Sequence, residues 1–148
     1  MAIFFYLAAA LGMGMLVSFQ PLINAVLARA VGSPYGAAAV SLVVAGLGGI
    51  VIAAVAGRGD MSRAALAGVP WWVFLAGLIG SLFVAGGVVI APVTGAQLFF
   101  ATVVAGQLLG ATLADHFGLF GLAVRPLSLE RAAGLALVLG GAMLVRRG

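Results

Sequence analysis

Few side chains in this sequence can do chemistry, and they fall into two sets. The first is titratable. Asp115 and His116 are adjacent, with Arg125, Glu130 and Arg131 downstream. A carboxylate beside an imidazole can pass protons, because histidine titrates close to neutral pH. Asp115 and His116 are therefore candidates for coupling a proton to another process. A plainer role competes with this one: Asp115 sits at an interface, solvated or paired with Arg125 or Arg131. Glu130 falls where it would serve the first turn of a helix, since carboxylates favour helix N-termini.

The second set is neutral. Gln20 and Asn24 lie four residues apart inside Phe19-Gln-Pro-Leu-Ile-Asn-Ala25, so on a helix they share one face. Pro21 has no N–H to offer the Val17 carbonyl, which frees that carbonyl and makes Pro21 a hinge candidate. Ser41, Gln97 and Gln107 are further uncharged polar positions within apolar stretches. Thr94, Gln97, Ala101, Leu108 and Ala111 fall near one helix face, and Asp115 lies on the same line about five turns after Gln97. Amides and hydroxyls in lipid can tie helices together, at about 0.6 kcal/mol per bond. They can also line a path for a solute. On that second reading Gln20, Asn24, Ser41, Gln97 and Gln107 bind substrate. Neutral amides suit a small neutral, zwitterionic or amphipathic solute better than a bare cation. No acidic residue falls deep in an apolar stretch, which argues against a cation exchanger built on a buried carboxylate.

Catalysis has little to draw on. With no cysteine there is no disulfide, thiol or thiolate–metal chemistry. One histidine beside one aspartate is too little for a catalytic triad or a metal centre. No cofactor or metal is expected, and an enzyme is the least supported class.

What must position these residues is a set of helices in lipid. Of 148 residues, 65% are hydrophobic and 7% charged, and the mean hydropathy is +1.32. Soluble domains carry about a quarter charged residues, so this composition cannot cover a water-facing surface. The chain is all-α and integral to a membrane. Its net charge of +4 comes from arginines scattered at span ends, not from a patch that would bind nucleic acid. The first apolar run has no basic leader and outlasts the ~7–15 residues of a signal-peptide core, so it reads as a retained span.

A span takes about 20 apolar residues, and five segments meet this: roughly 2–30, 34–56, 70–91, 94–114 and 129–145, all in one transmembrane domain of residues 1–148. Arg29 and Gly32 close the first. Ser33 caps the second and Pro34 suits its first position. Pro70-Trp71-Trp72 opens the third at an interfacial aromatic level, and Ala91-Pro-Val-Thr-Gly95 turns tightly into the fourth. Ser128 caps the fifth. The connector 57–69 has room for a short interfacial helix; the connector 115–128 is rich in glycine and phenylalanine. Small residues recur every four positions at Ala37, Ser41, Ala45, Gly49, Ala53 and Gly57, then at Gly77, Ser81 and Ala85, at Gly106 and Gly110, and at Ala136 and Gly140. Such stripes let helix backbones approach closely in lipid.

Five spans place the termini on opposite sides. Arg58, Arg63, Arg125 and Arg131 then face Arg29, Arg146 and Arg147. Orientation follows the arginine and lysine bias, and here the bias is almost nil. Copies inserted both ways could pair as an antiparallel homodimer, giving the inverted repeat on which many transporters are built.

Read in order, Gln20-Pro-Leu-Ile-Asn24, Ser33-Pro34 with Ser41, Pro70-Trp-Trp72, Gly106-Gln107 and Asp115-His-Phe-Gly118 resemble the small five-span bacterial inner-membrane proteins of the YdcZ type. These belong to the drug/metabolite transporter superfamily. The resemblance covers essentially the whole chain. It implies that one chain is half of an inverted ten-helix unit, partnered by a second copy or an oppositely oriented homologue, in the bacterial inner membrane. It implies an exporter working by alternating access, and it supplies no substrate. The small multidrug resistance proteins differ by having four spans and a buried glutamate in the first. Two other classes compete: a lipid-handling protein that admits acyl chains between the small-residue stripes, and a scaffold that transports nothing.

Overall fold

The computed structural model describes residues 2–57 and 59–147, with the side chains of Ala2, Arg146 and Arg147 outside the description. Three arginines of the charge balance, Arg58, Arg146 and Arg147, thus have no described side chain. Among the described residues the chain is helical and has no strand. Its elements are α1 (Ala2–Val31), α2 (Pro34–Ala56), the short α3 (Arg63–Ala67), a 3₁₀ turn (Trp71–Phe74) running into α4 (Leu75–Thr94), α5 (Ala96–Phe117), a second 3₁₀ turn (Leu119–Gly121) and α6 (Leu129–Arg147).

Local chemistry sets these ends. Gly32 leaves α1 at φ 69°, and the Ser33 N–H returns to the Ala28 carbonyl at 3.1 Å. That is a glycine-terminated helix end whose bond satisfies an orphan carbonyl. Ser33 then starts α2, its hydroxyl accepting from Gly36 N–H at 3.0 Å with Pro34 in the first turn. The connector after α2 does hold a short helix: Ser62 Oγ accepts from Ala65 N–H at 3.2 Å, and Asp60 Oδ1 accepts from Ser62 N–H at 2.8 Å. The backbone bond from Ser62, with its hydroxyl second, holds the Asp60 carboxyl below its ordinary range.

One boundary differs from the sequence expectation. The third span does not stop at Ala91 with a five-residue turn after it. Helix α4 continues through Pro92 to Thr94, and Gly95 alone, at φ 82°, separates it from α5. A proline near a helix end costs one N–H in a turn that is about to finish, whereas positive φ is where glycine is at home. Thr94 therefore ends α4 and does not share the α5 face with Gln97.

Among the described residues, four segments are long and apolar enough to cross a membrane: Ile3–Val31, Pro34–Ala56, Trp71–Thr94 and Ala96–Phe117. The helix expected at 129–145 is present as α6. It is not among the four; in the sequence, Glu130 and Arg131 at one end and Arg146-Arg147 at the other bound an uncharged stretch of residues 132–145. That falls short of the ~20 residues a straight span uses.

The chain divides into two compact units, residues 1–93 and 94–148. In the first, α1 and α2 form a hairpin, and Ala37, Ala38 and Val88 make the buried centre with Leu27, Ala28, Val84 and Ala85 around it. Burial is confined to the hairpin end. The α2 stripe packs at Ala37, but Ala45, Gly49 and Ala53 are exposed, and a Cβ built on Gly49 would meet nothing within 4 Å. In the second unit α5 and α6 form another hairpin. Leu98, Thr102 and Ala105 of α5 and Leu139, Ala142 and Met143 of α6 line a groove between the two helices. The expected Gly106/Gly110 and Ala136/Gly140 stripes are exposed. Gly106 and Gly110 lie well around the helix from Ala105, which is buried.

Candidate functional site

The neutral set is partly assembled within the first unit. Asn24 is 6% exposed, and its Nδ2 donates to Ser41 Oγ at 3.1 Å. The bond joins α1 to α2 one turn beyond the buried Ala37 and Ala38. Pro21 is buried one turn before Asn24, and α1 runs through it without a break in helical assignment. Gln20 is half-buried on the same face. The amide of Asn24 offers one acceptor and two donors. One donor is committed to Ser41, and no other hydrogen bond from its side chain is found among the described residues. Gln97 and Gln107 belong to the second unit, both exposed along α5. Asn24 and Ser41 are thus brought together, with Gln20 beside them.

The titratable set is assembled at one end of the second unit. Asp115 Oδ2 lies 3.6 Å from Arg131 Nη1, with the two side chains 36% and 41% exposed. Of the two arginines the sequence offered, Arg131 makes the ion pair. Arg125 contributes its backbone: its N–H donates to the Asp115 carbonyl at 2.8 Å, and its carbonyl accepts from Arg131 Nη1 at 3.3 Å. His116 Nδ1 accepts from Leu127 N–H at 3.1 Å, so that nitrogen carries no proton in this arrangement. Ser128 Oγ accepts from Arg131 N–H at 3.3 Å and starts α6, as its sequence position suggested.

The loop between α5 and α6 makes this cluster possible. Gly118 ends α5 in the left-handed region at φ 62°, and a Cβ there would meet Val124 Cγ2 at 2.8 Å and the Leu122 carbonyl at 3.1 Å. Phe120 also lies at positive φ, 58°. The chain folds back tightly enough to return Arg125 and Leu127 to the end of α5. The sequence carried one legible sign of this, the glycine directly after Asp-His-Phe, where a left-handed helix end is common. The choice of Arg131 over Arg125 as the partner of Asp115 had no such sign. Among the described residues no three His, Cys, Asp or Glu side chains come together as a metal site would require.

Residues 5–144 match the family DMT_YdcZ, described as "Putative inner membrane exporter, YdcZ". A relative from Escherichia coli (strain K12), Inner membrane protein YdcZ, is 33% identical over 92 residues, which are 62% of this chain and 59% of that protein. The chain thus matches about three fifths of that relative's length. No solved structure matches. Because the family match takes in almost all of the chain and the apolar helices agree with it, the chain belongs to the YdcZ family and is a multi-pass inner-membrane protein.

Proposed function

We propose that this chain exports a small neutral, zwitterionic or amphipathic solute by alternating access. The observation that carries the reading is the buried Asn24–Ser41 hydrogen bond. It holds an uncharged polar pair inside apolar helices, beside Pro21 and Gln20, with amide capacity to spare. A solute that displaces or joins this bond exchanges one neutral hydrogen bond for another, which keeps binding reversible. In this reading α6 is the fifth span. Arg131 reaches to the interface along its aliphatic stem while its backbone lies further in. Five spans and a near-even split of arginines then favour copies inserted both ways. An antiparallel pair places Gln20, Asn24, Ser41, Gln97 and Gln107 of both copies around one cavity. Asp115 and His116 couple the cycle to protons, and Pro21 is the hinge.

The test uses the absence of cysteine from the sequence. A single cysteine at Asn24 is probed with a membrane-impermeant, water-requiring thiol reagent in native vesicles. Labelling that a transported solute blocks supports the reading; a cysteine that stays inert supports a scaffold packed through this bond. Reporters active on only one side of the membrane, fused at the C-terminus, test the antiparallel pair. Signal from both sides supports it, and signal from one side alone removes the homodimer.

A further inference from the structure

Beside the groove lined by Ala105, the α5–α6 hairpin carries a second groove of about 360 Å³. Its walls are Leu108 and Ala111 of α5 and Leu135 and Val138 of α6, and it ends at the Asp115–Arg131 pair. Gly134 forms part of the floor, and a Cβ there would meet nothing within 4 Å, so the space is open above it. The groove is therefore amphipathic along its length: apolar for the middle of the hairpin, with one positive and one negative group at its end. Asp115 lies in the last turn of α5 and Arg131 in the first turn of α6, which is headgroup level for a membrane-crossing α5.

The ion pair is loosely made. Its 3.6 Å separation, and the 3.3 Å from the same Nη1 to the Arg125 carbonyl, are long beside the ~2.7–2.9 Å of a charge-assisted bond. Of the three guanidinium nitrogens of Arg131 only Nη1 is engaged among the described residues, and Asp115 uses one carboxylate oxygen. Both side chains are more than a third exposed. Guanidinium donors fit the oxygens of a phosphodiester in a fork. A carboxylate oxygen accepts from an ammonium N–H. A ligand that satisfies both charges and the apolar walls carries a phosphate, a primary amine and an acyl chain.

We propose that this groove binds a phospholipid with a zwitterionic primary-amine headgroup. The phosphate lies on Arg131, the ammonium on Asp115, and one acyl chain runs along Leu108, Leu135 and Val138. A choline headgroup has no N–H to donate to Asp115. A glycerol headgroup brings a net negative charge up to that carboxylate. The site concerns the α5–α6 hairpin and does not rest on the transport reading.

The test is native mass spectrometry on the full chain, purified in detergent and incubated in turn with phosphatidylethanolamine, phosphatidylcholine and phosphatidylglycerol of identical acyl chains. One phosphatidylethanolamine should stay bound per chain, with the other two weaker by about tenfold, the factor one charge-assisted hydrogen bond supplies. Arg131→Gln and Asp115→Asn should each remove that preference, and Arg131→Lys should restore part of it. Leu135→Trp fills the groove without touching either charge and should reduce binding of all three lipids. Circular dichroism identifies any variant that has not folded, in which case Arg131→Lys and Leu135→Trp carry the test. Equal retention of the three headgroups, a preference for phosphatidylglycerol, or a phosphatidylethanolamine preference that survives Arg131→Gln would each overturn the proposal. So would protection of the site by soluble phosphoethanolamine as strong as that by the lipid.

Discussion

The two polar clusters of this molecule are built on opposite plans. In the first unit the neutral amide of buried Asn24 meets the neutral hydroxyl of half-buried Ser41 between α1 and α2. In the second a carboxylate meets a guanidinium at the end of a hairpin, both partly exposed. Depth explains the difference. A charged side chain at the middle of a span costs about 2.5–3.5 kcal/mol even on the mildest scale, whereas an amide with one partner costs far less. Charge is therefore kept where water or headgroups reach it, and polarity inside the helices is limited to groups without charge. The support differs too. Asn24 and Ser41 are placed by two regular helices packed through alanines, while Asp115 and Arg131 are placed by an irregular loop that folds back through the positive-φ residues Gly118, Phe120 and Gly121.

That contrast can be broken at four points, and the largest effect belongs to the loop. Gly118→Val puts a β-branched side chain at φ 62° and against Val124. It should cost about 2 kcal/mol, read as an earlier unfolding midpoint in denaturing detergent. Hydrogen exchange should speed up at the Leu127 amide, which donates to His116, while amides near Asn24 keep their protection.

Asn24→Ala comes next, at about 1 kcal/mol. Ser41→Ala should cost a similar amount. In a double-mutant cycle the two should be coupled, because each removes the same bond. The coupling should not change with salt, since neither partner is charged. If the two substitutions add independently, the bond contributes nothing and the contrast loses its first half.

Asp115→Asn should be smaller, below about 1 kcal/mol at low salt, as for partly exposed ion pairs generally. It should fade towards zero near about 1 M salt, where screening reaches across only about 3 Å. A salt-insensitive loss at Asp115 larger than the loss at Asn24 would reverse the ranking and show that the charged cluster is the structural one.

The smallest effect is at Asp60, whose carboxyl is held below its ordinary range by the Ser62 backbone bond. A lowered folded-state value means the local stabilisation is present above the ordinary carboxylate range and is lost as pH falls through the lowered value. Exchange of the Ser62 and Ala65 amides should accelerate below that point in the native chain and show no such step in Asp60→Asn. The helix spans should not respond.

Much of this architecture was legible in the residues. Composition alone requires a membrane solvent, because ten charged side chains cannot clothe 148 residues in water. Helix ends followed from local chemistry that needs no tertiary contact: Ser33 with Pro34, Gly32, Ser62 and Ser128 each act within a few residues of themselves. The pairing of Asn24 with Ser41 was half legible, since both sit on faces that small residues open to a neighbour. Three things were not. Helix α4 ran past Pro92, because a helix near its end tolerates a missing N–H and periodicity cannot see where the chain stops. The Gly106/Gly110 face does not meet α6, since a small-residue spacing names a surface that permits close approach without naming its partner. The choice of Arg131 over Arg125 for Asp115 depended on how tightly residues 118–127 fold back.

The sequence by itself therefore determined the solvent, the helices, their caps and the exclusion of charge from their middles, because these depend on transfer energies and short-range hydrogen bonds. Only the tertiary structure decided which polar groups meet, which stripes are used and where an open groove remains. Those outcomes depend on the rotation of one helix against another and on the left-handed turn at Gly118, and neither is encoded in any single residue's preference.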